Sequence, residues 1–150
     1  MNNIQKQFHQ AIENNDIKNV KLLLNHPKVN PSDKDNWAIR YASIEGHYDI
    51  IKLLLNNNRV NPAAINNWAI RYASIEGHYD IVKLLLNDHR VNPADRNNLS
   101  ITHSNDRGKI DIVNLLWQDQ IVKNTLKNDN KELYNELVKK DKIKEKVENF

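Results

Sequence analysis

Asn36-Trp37-Ala38-Ile39-Arg40-Tyr41-Ala42-Ser43-Ile44-Glu45-Gly46-His47-Tyr48-Asp49-Ile50 returns letter for letter at residues 67–81, and the likeness continues almost unbroken to Pro93. Trp37 and Trp68 stand 31 residues apart. That period is too long for a heptad and too short for a domain, so each copy reads as one supersecondary unit that buries its apolar face against its neighbours. Leu22-Leu23-Leu24 and Val29-Asn30-Pro31 lie one period ahead of Leu53-Leu54-Leu55 and Val60-Asn61-Pro62, which marks a worn first copy over about 5–35. Leu99, Ile101, Gly108, Asp111, Ile112, Val113, Leu115 and Leu116 fall one period after Trp68, Ile70, Gly77, Asp80, Ile81, Val82, Leu84 and Leu85. They define a fourth copy, about 98–128, with the central copies at 36–66 and 67–97. Drift in the outer copies fits a stack, whose end units each turn one face to water.

Within the second copy Ile39, Ala42 and Ser43 share a narrow face at helical spacing, predicting a short helix over about 37–44. Gly46 ends it. Tyr48, Ile50, Ile51 and Leu53-Leu54-Leu55 then carry a broader apolar face, a second helix over about 48–57, with Asp49 favourably placed in its first turn. Asn56-Asn57-Asn58 supplies residues that tolerate the left-handed conformation closing a helix. Arg59-Val60-Asn61-Pro62 opens an extended turn, since proline fixes its own φ and restricts the residue before it. Asn66 or Asn67 is then expected to cap the next helix. The expected cycle is helix, tight turn, helix, protruding loop, giving a curved stack with loops and short helices on its concave side.

Trp37-Ala38-Ile39-Arg40-Tyr41-Ala42-Ser43, Gly46-His47, the triple leucine and Val-Asn, recurring in register, resemble an ankyrin repeat, whose usual pattern is Thr-Pro-Leu-His-x-Ala-Ala-x-x-Gly-His, then Val-Val-x-Leu-Leu-Leu and Val-Asn. The likeness covers about residues 5–123. It implies an all-α ankyrin-repeat solenoid of stacked helix-turn-helix units with short loops or hairpins, acting as a non-enzymatic protein-binding scaffold. The chain departs from the pattern by two missing positions per repeat, so shorter loops are expected. Trp37 and Trp68 replace the capping threonine, Ala38 and Ala69 the proline, and Arg40 and Arg71 the histidine that ties neighbouring loops. This variant most resembles the ankyrin arrays of giant DNA viruses of amoebae and of some protists, and its heavy use of Asn, Lys and Ile fits an A+T-rich genome.

Composition narrows the function classes. With 39% hydrophobic and 27% charged residues in 150, the chain reads as one soluble domain, neither disordered nor membrane-inserted. It has no 18-residue apolar run and no signal-peptide pattern at its start, so an intracellular, cytoplasmic location is the expectation. Absence of cysteine removes disulfides and thiolate zinc sites. A net charge of +3 without a Lys/Arg stripe argues against a dedicated nucleic-acid binder. His9, His26, His89 and His103 lack partners at ligand spacing, and the three glycines each belong to a helix turn, so no metal, cofactor, small-molecule substrate or catalytic residue is expected. The resemblance gives His47 and His78 a structural role between helices.

Candidate contact residues cluster in three places. Loop tips are where the central copies finally differ: Lys34 and Asp35, then Ile65 and Asn66, then Arg96 and Asn97. Variable tips on a constant frame suit partner recognition, although unconstrained drift would look the same. Arg40 and Arg71 form a column that Thr102 ends, either bonding loop carbonyls of the adjacent copy or presenting a basic stripe. Ile44, Glu45, Ile75, Glu76 and Arg107 stand at the end of the first helix, where an isoleucine at a wet position signals contact. Trp37 and Trp68 fill an inter-repeat groove or offer flat rings to a partner. Lys28, Arg59 and Arg90, with Lys21, Lys52 and Lys83, read as solvated columns. From Asp129 a capping-box start with Glu132, then Leu133, Tyr134, Leu137, Val138, Ile143 and Val147, predicts an amphipathic capping helix over 129–150. The reading is a monomer that binds a protein partner. Its rivals are a spacer cut from a longer array and an electrostatic binder of nucleic acid or acidic surfaces.

Overall fold

A computed structural model describes residues 2–148. Among them are ten helices and no strand. Four successive pairs follow the repeat: α1 (Asn3–Glu13) with α2 (Ile17–Leu24), α3 (Asp33–Glu45) with α4 (Tyr48–Leu55), α5 (Ala64–Glu76) with α6 (Tyr79–Leu86), and α7 (Asp95–Asp106) with α8 (Ile110–Trp117). Leading helices pack on leading helices and trailing on trailing, so the pairs form two layers of one stack. Ala38, Ala42, Ala69 and Ala73 are fully buried in the leading layer, where small side chains let α3, α5 and α7 approach closely. The trailing layer, built on Ile50, Ile51, Leu54, Ile81, Val82 and Leu85, is bulkier and more loosely joined. Unequal packing of two layers bends such a stack toward the tighter side.

Gly46 and Gly77 end the leading helices in the left-handed conformation, with φ of 78° and 92°. A methyl group at Gly46 would also meet the His78 ring at 2.8 Å. His78 in turn bonds the Ile44 carbonyl of the preceding unit at 2.8 Å through Nε2.

Helix entry differs from the expectation. Residues 34–36, 65–67 and 96–98 each make one left-handed turn, all with φ between 50° and 60°. The asparagines that follow the trailing helices are right-handed instead, as Asn56 is at φ −74°. Asn67 does not cap its own helix. Its Oδ1 accepts the Asn92 backbone N–H at 2.8 Å, as Asn36 Oδ1 accepts from Asn61 and Gln5 Oε1 from Asn30, both at 2.7 Å. In each of the first three units one side chain thus holds the turn that opens the next.

A second tie runs backward. Arg59 donates to the carbonyls of Val29 and Leu24 at 3.0 and 2.8 Å, and Arg90 to those of Val60 and Leu55 at 2.9 and 3.1 Å. Leu24 and Leu55 are the last residues of their helices, whose terminal carbonyls have no intrahelical partner. The solvated-column reading therefore fails for Arg59 and Arg90, because five donors on a long stem find more favourable acceptors 30 residues back than water. Lys21, Lys52 and Lys83 are exposed.

The fourth pair ends at Trp117, and two helices follow where the sequence suggested a repeat reaching 128 and one capping helix. Asp119 caps α9 (Gln120–Asp129) by accepting from Ile121 and Val122 N–H. This helix packs on α7 as a fifth leading helix. α10 (Lys131–Glu148) starts on Asn130, whose Oδ1 accepts the Leu133 N–H at 3.1 Å. Asp129 is not its cap. That carboxylate accepts from Asn98 Nδ2 at 2.6 Å instead. Leu133 and Leu137 are buried, and Trp117 donates Nε1 to Asp141 at 2.7 Å. Beyond that anchor the strip leaves the body: Ile143 and Val147 are 54% and 70% exposed. Residues 149–150, the end of the predicted capping helix, lie outside the described residues.

Candidate functional site

Each left-handed turn pushes its first two residues into solvent and its third inward. Lys34 and Asp35, Ile65 and Asn66, and Arg96 and Asn97 are exposed, while Asn36, Asn67 and Asn98 are buried. Left-handed geometry costs roughly 1–2 kcal/mol per residue outside glycine, somewhat less for Asn and Asp. The turns persist because their carbonyls are bound. Arg40 donates Nε to the Asp35 carbonyl at 3.0 Å and Nη2 to that of Lys34 at 3.1 Å; Arg71 does the same to Asn66 and Ile65 at 2.9 and 3.3 Å. The arginines serve the tip of their own unit, where the sequence reading had them bond the adjacent one. In the fourth unit the Thr102 hydroxyl donates to the Asn98 carbonyl at 3.0 Å.

Between tips and helix ends lies an aromatic strip. Trp37 stacks on Tyr41 at 4.9 Å and Trp68 on Tyr72 at 4.3 Å, pairs that helical i,i+4 spacing brings together. The guanidinium of Arg40 lies 5.5 Å from the Trp68 ring centre, reaching into the next unit, and that of Arg71 5.6 Å from the same ring. His9, one period ahead of Arg40, contacts Trp37 at 4.5 Å. The tryptophans therefore fill the seams between units and remain half-buried. Burial lowers the His9 pKa, with Asp33 pulling against it, and burial also lowers that of Arg71.

The predicted contact residues divide between two rims. Tips stand at the start of the leading helices; Ile44, Glu45, Glu76 and Arg107 stand at their ends, about 12 Å away at a 1.5 Å rise per residue. Glu45, Glu76 and Arg107 are exposed and Ile44 is half-buried. Two candidates fall away. Ile75 is 9% exposed and Arg71 8%. Tyr41, Tyr72 and His9 were missed, although the i,i+4 spacing and the 31-residue register point to them. Among the described residues there is no group of three His, Cys, Asp or Glu that could hold a metal, and no helix long and apolar enough to cross a membrane.

Paired helices repeating in register, with tips carried ahead of the last three pairs, define a helical-repeat solenoid. A family model for ankyrin repeats, three copies, matches residues 8–97, and the chain belongs to the ankyrin repeat family. No curated protein compared with the chain matches it. Ankyrin repeats in general mediate protein–protein interaction and are not enzymes.

Proposed function

We propose that this protein binds a partner protein through its tips and the leading layer beneath them, catalysing no reaction and using no cofactor. In this reading the chain works as a monomer inside the cell, and the contact residues are Lys34, Asp35, Arg40, Ile44, Glu45, Ile65, Asn66, Glu76, Arg96, Asn97 and Arg107. Arg59 and Arg90 are engaged within the stack, which leaves the electrostatic rival fewer free cations.

Ile65 carries the reading. It is a β-branched residue held at φ 51°, ψ 55°, a conformation such side chains rarely adopt, and its apolar surface is 38% exposed at the tip of the central unit. Strain and exposed apolar surface both work against a residue kept only for stability. Lys34 and Arg96 flank it one unit either way. An apolar anchor between two cations suits a partner with a hydrophobic side chain set among acidic ones.

Ile65→Asn tests this, since asparagine tolerates the left-handed turn. The substitution is expected to stabilise the fold by about 1 kcal/mol in urea unfolding while weakening capture of the partner at least about tenfold. Capture undiminished in the Lys34→Asn, Ile65→Asn, Arg96→Asn combination, with the fold intact by circular dichroism, would remove the tips from the interface.

A further inference from the structure

The first residue of every trailing helix in the four repeats is large and wholly or partly apolar, and none is buried. Ile17, Tyr48, Tyr79 and Ile110 recur at the 31-residue period and are 39%, 40%, 40% and 50% exposed. They form a column on the edge of the stack, at the far end of the leading helices from the tips. Hollows lie between successive members. One of about 320 Å³ is lined by Tyr48, Gly77, His78, Tyr79 and Asp80, and one of about 280 Å³ by Tyr79, Gly108, Lys109, Ile110 and Asp111. A glycine turn floors each hollow, with the His78 ring lying against Gly46 and the Lys109 side chain against Gly77.

Beside the apolar column runs an acidic one. Asp49, Asp80 and Asp111 follow Tyr48, Tyr79 and Ile110 directly and are exposed in the first turns of α4, α6 and α8. None of the three enters an ion pair among the described residues. Lys18 takes the position in the first unit, and Lys52 and Lys83 stand three residues further along their helices. The column is therefore acidic over the last three units, with Lys109 the cation in its hollows.

Spacing selects the occupant. Packed helices lie about 8–10 Å apart, so one apolar side chain and one carboxylate recur at about that interval. A polyproline helix returns the same face every three residues, about 9 Å, whereas a strand does so every two, about 7 Å, and an α-helix every turn of about 5.4 Å. Polyproline segments also dock into aromatic-lined grooves at little entropic cost. We propose that the edge formed by Ile17, Tyr48, Tyr79 and Ile110 binds a basic, proline-rich segment of a partner protein in polyproline conformation. One triad sits on each repeat, its prolines on the apolar column and its Lys or Arg on Asp49, Asp80 or Asp111. This edge is separate from the tips, and the two surfaces can be occupied together.

The test is fluorescence anisotropy with a labelled peptide of repeated Pro-Pro-Lys triads, compared with Pro-Pro-Glu and Gly-Ser-Lys peptides of equal length. The full-length chain is expected to bind Pro-Pro-Lys saturably and the other two at least about tenfold more weakly. Tyr48→Ala with Tyr79→Ala, and separately Asp49→Asn with Asp80→Asn and Asp111→Asn, should each weaken Pro-Pro-Lys binding at least about tenfold. Circular dichroism of each variant checks the fold, and the carboxamide set stays informative if the alanine pair unfolds. Lys34→Asn with Ile65→Asn and Arg96→Asn should leave this binding unchanged. Equal affinity for Gly-Ser-Lys, absence of Pro-Pro-Lys binding, or full affinity in the folded carboxamide variant would overturn the proposal.

Discussion

Asn67→Ala is expected to lower stability by about 3 kcal/mol, a fall in Tm of about 10 °C for a chain of this size. Three losses combine. The Asn92 N–H, which now donates to Asn67 Oδ1 at 2.8 Å, loses its acceptor, at a cost of about 1–3 kcal/mol where water does not replace it. Asp95 loses the 2.9 Å bond from Asn67 Nδ2. Alanine must also hold φ near 54°, which asparagine tolerates better by up to about 1 kcal/mol. Asn67→Gly separates these terms, because glycine carries no left-handed penalty; it should recover about 1 kcal/mol of the loss and no more. The site joins the third and fourth units, so unfolding should also broaden as the fourth unit and the helices after it uncouple from the first three. Urea titration followed by tryptophan fluorescence measures both quantities. A Tm within 2–3 °C of the parent for the alanine variant, roughly 1 kcal/mol, would mean that the asparagine ladder is incidental.

Arg90→Met should cost about 2 kcal/mol although its site lies in a surface turn. The methionine keeps part of the stem and removes the donors that bind the Val60 and Leu55 carbonyls and Asp88. Arg90→Lys should recover less than half of the loss, since one ammonium cannot span carbonyls that a planar fork reaches together. Lys28→Met, in the same register of the first unit, should stay within about 0.5 kcal/mol, as its side chain is exposed. The pair also sets a pH dependence. Arg90 holds the Asp88 carboxyl below its usual 3.8, chiefly by a direct hydrogen bond. Its stabilisation is therefore complete above that value and fades as pH falls through the lowered one, so the gap between parent and Arg90→Met should narrow in acid. A gap that widened below pH 3.8 would contradict the assignment.

The helix pairs were legible because apolar spacing at 3.6 residues and a glycine stop are local signals, and the leading helices end at Gly46 and Gly77. The tips were not. Nothing local predicts left-handed Lys34, Ile65 or Arg96, and sterics argue against all three. Arg40 and Arg71 hold the turn from five or six residues further along the same helix, and Asn36 and Asn67 lock it to a turn 25 residues further on. Arg59 and Arg90 misled for a related reason: regular spacing shows that charges recur, and leaves open whether a long side chain points out or back. The same holds for the candidate contacts. Exposure of the tips followed from their variability, whereas Arg71 and Ile75 are buried although Arg40 and Ile44, their identical counterparts one period earlier, are half-buried, a difference that the repeat itself does not encode. At the C-terminal end the chain after Leu116 has no Asn-Pro turn, and Asp119 as the cap of a further helix passed unread beside the stronger-looking Asp129.

Amide hydrogen exchange at Asn61 and Asn92 tests most directly whether successive units are interlocked. Both residues lie in exposed turns, where an unattached amide would exchange freely. With Asn36 and Asn67 holding them, both N–H groups are predicted to open only with the stack, at free energies close to global unfolding. Exchange at the rate of a solvated turn, beside protected helices, would contradict the interlock and leave units that merely touch.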